Sequence, residues 1–159
     1  MNIDIIGVGN IKETYWKEAI GEYSRRLSRY CTLRITEVKD EKAPEGLSDA
    51  EERKIKETEG KRILGKIRED SFVVALEIRG GKYSSESLAE NFEAWSVRGK
   101  SHLVFVIGGS LGLSAEVLSR ADELLSFSDM TFPHQMMRVI LLEQIYRSYR
   151  ILRHEPYHK

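Results

Sequence analysis

The sequence predicts an α/β protein with a largely parallel sheet. Short β-branched apolar stretches alternate with stretches of helical character along the chain, the pattern of strands joined by crossover helices. Two of them, Phe72-Val73-Val74-Ala75-Leu76 and Leu103-Val104-Phe105-Val106-Ile107, are continuously apolar, as strands covered on both faces are. A glycine-rich turn directly follows the second. No internal repeat or long linker interrupts the 159 residues, so one domain over 1–159 is expected.

The elements follow in order. Ile3 to Val8 reads as the first strand and Glu13 to Arg29 as a helix. Leu33 to Val38 alternates strictly between apolar and polar, which places it at or near a sheet edge. A polar loop with Ala43-Pro44-Glu45-Gly46 then leads to Ser48, and Glu51 three residues on completes a capping box. The highly charged helix that it opens, Asp49 to Arg68, is expected to be a solvated excursion. Strand Phe72 to Ile78, helix Ser85 to Val97 and strand Leu103 to Ile107 come next. A short helix, Ala115 to Ala121, precedes a weak strand, Leu124 to Phe127. The last helix, His134 to Leu152, starts at Pro133 and carries apolar residues on more than one face. One side is expected to cover the sheet and another to meet a second copy.

Composition excludes several classes of function. Lys plus Arg and Asp plus Glu are each 25, so no broad basic face announces a nucleic acid. A single cysteine, Cys31, makes no disulfide within the chain, and four scattered histidines form no zinc motif. No signal peptide is readable and no apolar run approaches the roughly 20 residues of a membrane span, so a soluble cytoplasmic protein is expected. Gly60-Lys61-Arg62-Ile63-Leu64-Gly65-Lys66 imitates a phosphate loop, but Ile67 stands where Ser or Thr should hold magnesium. Pro156 between His154 and His158 breaks the helix on which the two could chelate a metal.

Three segments carry candidate chemistry. In Ile107-Gly108-Gly109-Ser110-Leu111-Gly112 the glycines let backbone amides approach a ligand, though a tight turn without ligand fits the same residues. Phe127-Ser128-Asp129-Met130-Thr131-Phe132 is unusually bulky for a connection, so it either tucks into the core or walls a pocket. From Arg138 onward there are five basic and two acidic residues, ending in a tail with Tyr157, His158 and Lys159. That end is either an RNA-facing surface or a set of solvated arginines.

Taken together, these blocks, with Thr131-Phe132-Pro133-His134-Gln135, Leu142-Glu143-Gln144-Ile145-Tyr146-Arg147 and Pro156-Tyr157-His158, resemble the ribosomal RNA large subunit methyltransferase H family of SPOUT, or α/β-knot, methyltransferases. The resemblance runs the length of the chain. It implies a SPOUT-type α/β knot: a mostly parallel five- to six-stranded sheet flanked by helices, with a C-terminal trefoil knot that general topology rules would not suggest. It implies an S-adenosyl-L-methionine-dependent homodimer that methylates N3 of a pseudouridine in 23S rRNA of the assembled 70S ribosome, with no DNA or membrane partner. Carried over by position, cofactor contacts fall on Leu76, Gly108, Phe127, Ser128, Asp129, Met130, Thr131 and Phe132. Lys159 departs from the family's Arg after Tyr-His, keeping charge but losing bidentate geometry.

The implied chemistry moves a methyl from a sulfonium to an imide nitrogen whose proton must leave. Candidates are His158 as base or orienting group, Tyr157 as stacking or hydrogen-bonding partner, and Arg138 as electrostatic support. A neutral protein should favour a structured ribosomal site over free RNA. The rival reading is a non-catalytic dimeric module that binds a nucleotide or a protein partner. The two separate in a thermal-shift comparison: the methyltransferase reading expects stabilisation by S-adenosylhomocysteine, whereas the rival expects it from an adenine dinucleotide.

Overall fold

The computed structural model describes all residues, Met1 to Lys159. Five strands, β1 (Asn2–Val8), β2 (Thr32–Val38), β3 (Phe72–Lys82), β4 (His102–Ile107) and β5 (Glu123–Ser126), form one sheet in the order β2-β1-β4-β3-β5. Every pairing is parallel. The helices are α1 (Thr14–Leu27), α2 (Asp49–Leu64), α3 (Ser85–Val97), α4 (Ala115–Arg120) and α5 (His134–Leu152).

The continuous apolarity of the central strands has a direct cause, because each feeds two cores. Leu103, Phe105 and Ile107 of β4 join Ile3, Val74, Phe92, Trp95, Leu141 and Ile145 on one face. Val104 and Val106 join Ile6, Val73, Ile63 and Val117 on the other. Side chains alternate across a strand, so both sets must be apolar when both faces are covered. β2 lies at the edge, as its alternation predicts.

Two elements differ from the sequence reading. α2 is not a solvated excursion, since Glu59, Gly60 and Ile63 are buried. Gly60, part of the false phosphate loop, allows the helix to touch Ser114: a Cβ there would lie 2.4 Å from Ser114 Oγ. The Ser48 cap forms as expected, accepting from Glu51 N–H at 3.2 Å.

β3 is longer than expected and irregular. Leu76 and Gly81 both pair with Leu125, so the four residues between them bulge out of the ladder. Gly80 sits against the β5 backbone, where a Cβ would come within 2.6 Å of the Leu124 carbonyl carbon. Gly80→Ala is expected to destabilise the protein by about 1–3 kcal/mol through this clash with backbone. In contrast, Gly21→Ala, inside α1 with open space around the position, is expected to stabilise by about 0.5–1 kcal/mol. Urea unfolding of the two variants measures both.

Candidate functional site

A cleft of about 600 Å³ opens beyond the C-terminal ends of β3, β4 and β5. In parallel α/β sheets ligands bind at that edge, because the strands end in loops there. Three segments converge on it: Leu76 to Arg79 from the β3 bulge, Ile107 to Leu113 after β4, and most of Leu125 to Phe132 after β5. Lys56 of α2 and His134 and Met137 of α5 complete the wall.

The glycine turn is shaped by close contacts. Gly112 has φ +87°, a left-handed conformation that favours glycine. Gly112 N–H donates to the Gly109 carbonyl at 3.1 Å, closing the turn. A Cβ on Gly108 would lie 2.9 Å from the Gly112 carbonyl carbon, and one on Gly109 would lie 3.1 Å from Val8 and 3.3 Å from a Glu59 oxygen. Glu59 thus backs the turn from α2, with its carboxyl pKa raised by burial.

Seven of the eight expected cofactor positions line the cleft: Leu76, Gly108, Phe127, Ser128, Met130, Thr131 and Phe132. Asp129 is the exception, with its carboxylate turned outward to Lys82 Nζ at 2.5 Å. The bulky loop therefore walls the cleft, which decides between the two readings of its composition. Ser128 Oγ accepts from Met130 N–H at 3.0 Å and the Ser128 carbonyl accepts from Ser126 Oγ at 3.1 Å, bonds that fix the loop locally. Sequence reasoning missed Glu77, Ile78, Arg79, Lys56 and His134. The Gly80-Gly81 pair was the available signal for the bulge.

Arg138 is 2% exposed and lies behind the cleft. Nη1 donates to Glu37 Oε2 at 2.6 Å, and Nη2 donates to the carbonyls of Val8 (2.9 Å) and Gly9 (2.6 Å). Gly7 makes room, since a Cβ there would meet the guanidinium at 2.6 Å. The side chain fastens α5 to the ends of β1 and β2, and its charge helps depress the His134 pKa.

The tail is docked against α5 and α3. Tyr157 Oη donates to Glu143 Oε1 at 3.0 Å, and its ring meets Tyr146 edge-on at 4.9 Å. Burial, then Glu143, raises the phenol pKa. His158 Nδ1 accepts from Arg147 Nη1 at 3.1 Å, which leaves Nε2–H to donate to Glu86 at 2.8 Å. Arg147 lies ten residues beyond Met137 on α5, about 15 Å along the helix from the cleft wall.

The comparisons place this five-stranded parallel architecture, with its cleft of glycine turn and apolar loop, among the SPOUT methyltransferases. The family described as "Predicted SPOUT methyltransferase" matches residues 1–158, and the chain belongs to that family. It is 63% identical to "Ribosomal RNA large subunit methyltransferase H" of Clostridioides difficile (strain 630) over 100% of both chains. Identity to the proteins of that name in Acetivibrio thermocellus and Shouchella clausii is 56% and 57%, each over 100% of both chains. A probable methylase family protein from Haemophilus influenzae Rd KW20 shares the fold, with a TM-score of 0.53, 14% identity, and coverage of 99% of this chain and 70% of that one.

His134 gives a pH test. Burial first and the Arg138 charge second lower its pKa from 6.5. A histidine depressed in the fold stabilises above its unfolded pKa and loses that contribution as pH falls through the folded value. Wild type is therefore expected to lose more stability than His134→Gln between pH 7.5 and 5, measured by urea unfolding.

Proposed function

We propose that this chain methylates N3 of a pseudouridine in 23S rRNA of the assembled 70S ribosome, acting in the cytoplasm as a homodimer with S-adenosyl-L-methionine as donor. The observation that carries the proposal is the convergence of the β3 bulge, the glycine turn and the 127–132 loop on one cleft. The full-length relatives named as ribosomal RNA large subunit methyltransferases support the substrate class. No helix is long and apolar enough to cross a membrane.

The residues present fit the donor. About 600 Å³ is within the range of small-molecule sites. Phe127, Met130 and Phe132 offer apolar surface for an adenine and a thioether, and the glycine turn offers backbone groups unobstructed by side chains. Glu77 can pair with a cationic amine, and Lys56 and Arg79 with a carboxylate. When bound, the donor supplies an electrophilic methyl on a sulfonium cation.

The chain's own residues supply position and electrostatics. The apolar loop excludes water from the methyl. Arg138 lends electrostatic support from behind the cleft, its charge partly offset by the Glu37 carboxylate. Released from Arg147 and Glu86, the tail is carried to the cleft, where His158 accepts or orients the N3 proton and Tyr157 stacks on or hydrogen-bonds to the base. A second copy would cover the rim, where Ile78 and Met130 are 46% and 73% exposed. The knot of the family fold would hold the glycine turn and the loop together.

The test is transfer of labelled methyl to ribosomes from a strain lacking the modification, with the product mapped by mass spectrometry. Label at N3 of one pseudouridine in 70S ribosomes, with little on protein-free RNA, is expected. His158→Ala and Tyr157→Phe should each slow transfer at least tenfold; full activity in both overturns the tail's role. Equal turnover on protein-free RNA overturns the preference for the assembled particle.

A further inference from the structure

Beside the contacts of Tyr157 and His158, a third residue holds the tail down, Glu155. Its Oε2 accepts a 2.5 Å hydrogen bond from Tyr30 Oη and a second from Arg150 Nη1. Arg150 Nη1 also donates to Tyr30 Oη at 3.1 Å, and Nη2 to the Pro156 carbonyl at 2.8 Å. The Tyr30 bond, then the charges of Arg150, Arg153 and Arg29, lower the Glu155 pKa. Arg150 contacts the carboxylate directly, and the charges of Arg153 and Arg29 act on it from further off. Arg29 and Arg153 are exposed and form no ion pair, and Arg153 lies 4.7 Å from the Tyr30 ring centre.

We infer that this cradle of Tyr30, Arg29, Arg150 and Arg153 is a binding site for a phosphodiester of the RNA substrate, closed in the free protein by Glu155. The inference rests on the proposed RNA substrate and deepens it. A tyrosine hydroxyl and a cluster of guanidiniums are groups that commonly contact backbone phosphates. One carboxylate against three cations leaves an excess of positive charge, so a phosphate competes on favourable terms. Its arrival displaces Glu155, the residue that precedes Pro156-Tyr157-His158. Binding the substrate then removes one of the contacts that dock the tail acting on it.

The turn that docks the tail is poised for this exchange. His154 is the one non-glycine residue with positive φ, at 53°, a conformation that L residues adopt at some cost. Two backbone bonds hold the reversal, from His154 N–H to Ile151 O at 3.0 Å and from Glu155 N–H to Arg150 O at 2.9 Å. These two bonds cap the end of α5, and the Glu155 side chain adds the contact that ties the reversal to Tyr30 and Arg150.

Hydrogen exchange of the Glu155 amide reads the latch directly, using hexauridylate as the phosphodiester probe against chloride at equal ionic strength. In wild type the probe should accelerate exchange at least tenfold. Glu155→Gln should exchange at least tenfold faster before any probe is added and bind the probe about threefold more tightly. The double variant Arg29→Gln, Arg153→Gln should keep its protection on adding the probe, while binding S-adenosylhomocysteine as wild type does. Unchanged wild-type exchange at saturating probe overturns the inference, as does full protection in Glu155→Gln. A normal latch response in a protein that transfers no methyl to ribosomes would instead refute the substrate assignment alone.

Discussion

Arg138 is the one Lys or Arg side chain that the fold buries, and the geometry of the cleft depends on it. An unpaired guanidinium in a low-dielectric interior costs several kcal/mol, so it must find acceptors. It finds two main-chain carbonyls at the end of β1 and a carboxylate on β2. α5 can therefore begin in only one place relative to the sheet. The loop from Phe127 to Phe132 ends at that helix start, which holds its apolar side chains opposite the glycine turn. Glu37 is shared, accepting also from Ile11 N–H at 2.7 Å, so the turn after β1 is fixed by the same carboxylate.

The opposite wall is set from the other face of the sheet. α2 approaches closely because Gly60 has no side chain, and Glu59 then lies against Gly109 while accepting from Glu41 N–H at 3.0 Å. A helix that composition alone marks as surface thus supports the cleft-facing turn. The cleft is held between two buried ionisable groups, Arg138 behind the loop and Glu59 behind the glycines. Such a preorganised site spends little free energy on ordering when a ligand arrives.

Much of the fold was legible because the sheet has a covered centre and an open edge. Continuous apolarity in β4 and alternation in β2 follow from burial on two faces and on one. The glycine turn and the bulky loop were legible as candidate walls of a cleft, the loop because so many apolar side chains are unusual in a connection. The β3 bulge was hidden because Ile78 reads as another strand residue, and only Gly80-Gly81 hinted at a break. Arg138 could be seen as charge but not as burial, since its partners lie about 100 or more positions away in the chain. The docked tail was invisible for the same reason: Tyr30 and Glu155 meet across 125 positions. The knot rests on the family alone, as strand patterns carry no record of threading.

The central claim is that the three convergent segments form the methyl-donor site. Titration of the labelled protein with S-adenosylhomocysteine, followed by amide chemical shifts, tests it most directly. The account predicts the largest saturable shifts at Leu76 to Arg79, Gly108 to Gly112 and Phe127 to Phe132, with the Ser24 to Ile35 region unmoved. Shifts centred away from those segments, or none at saturating ligand, would contradict it.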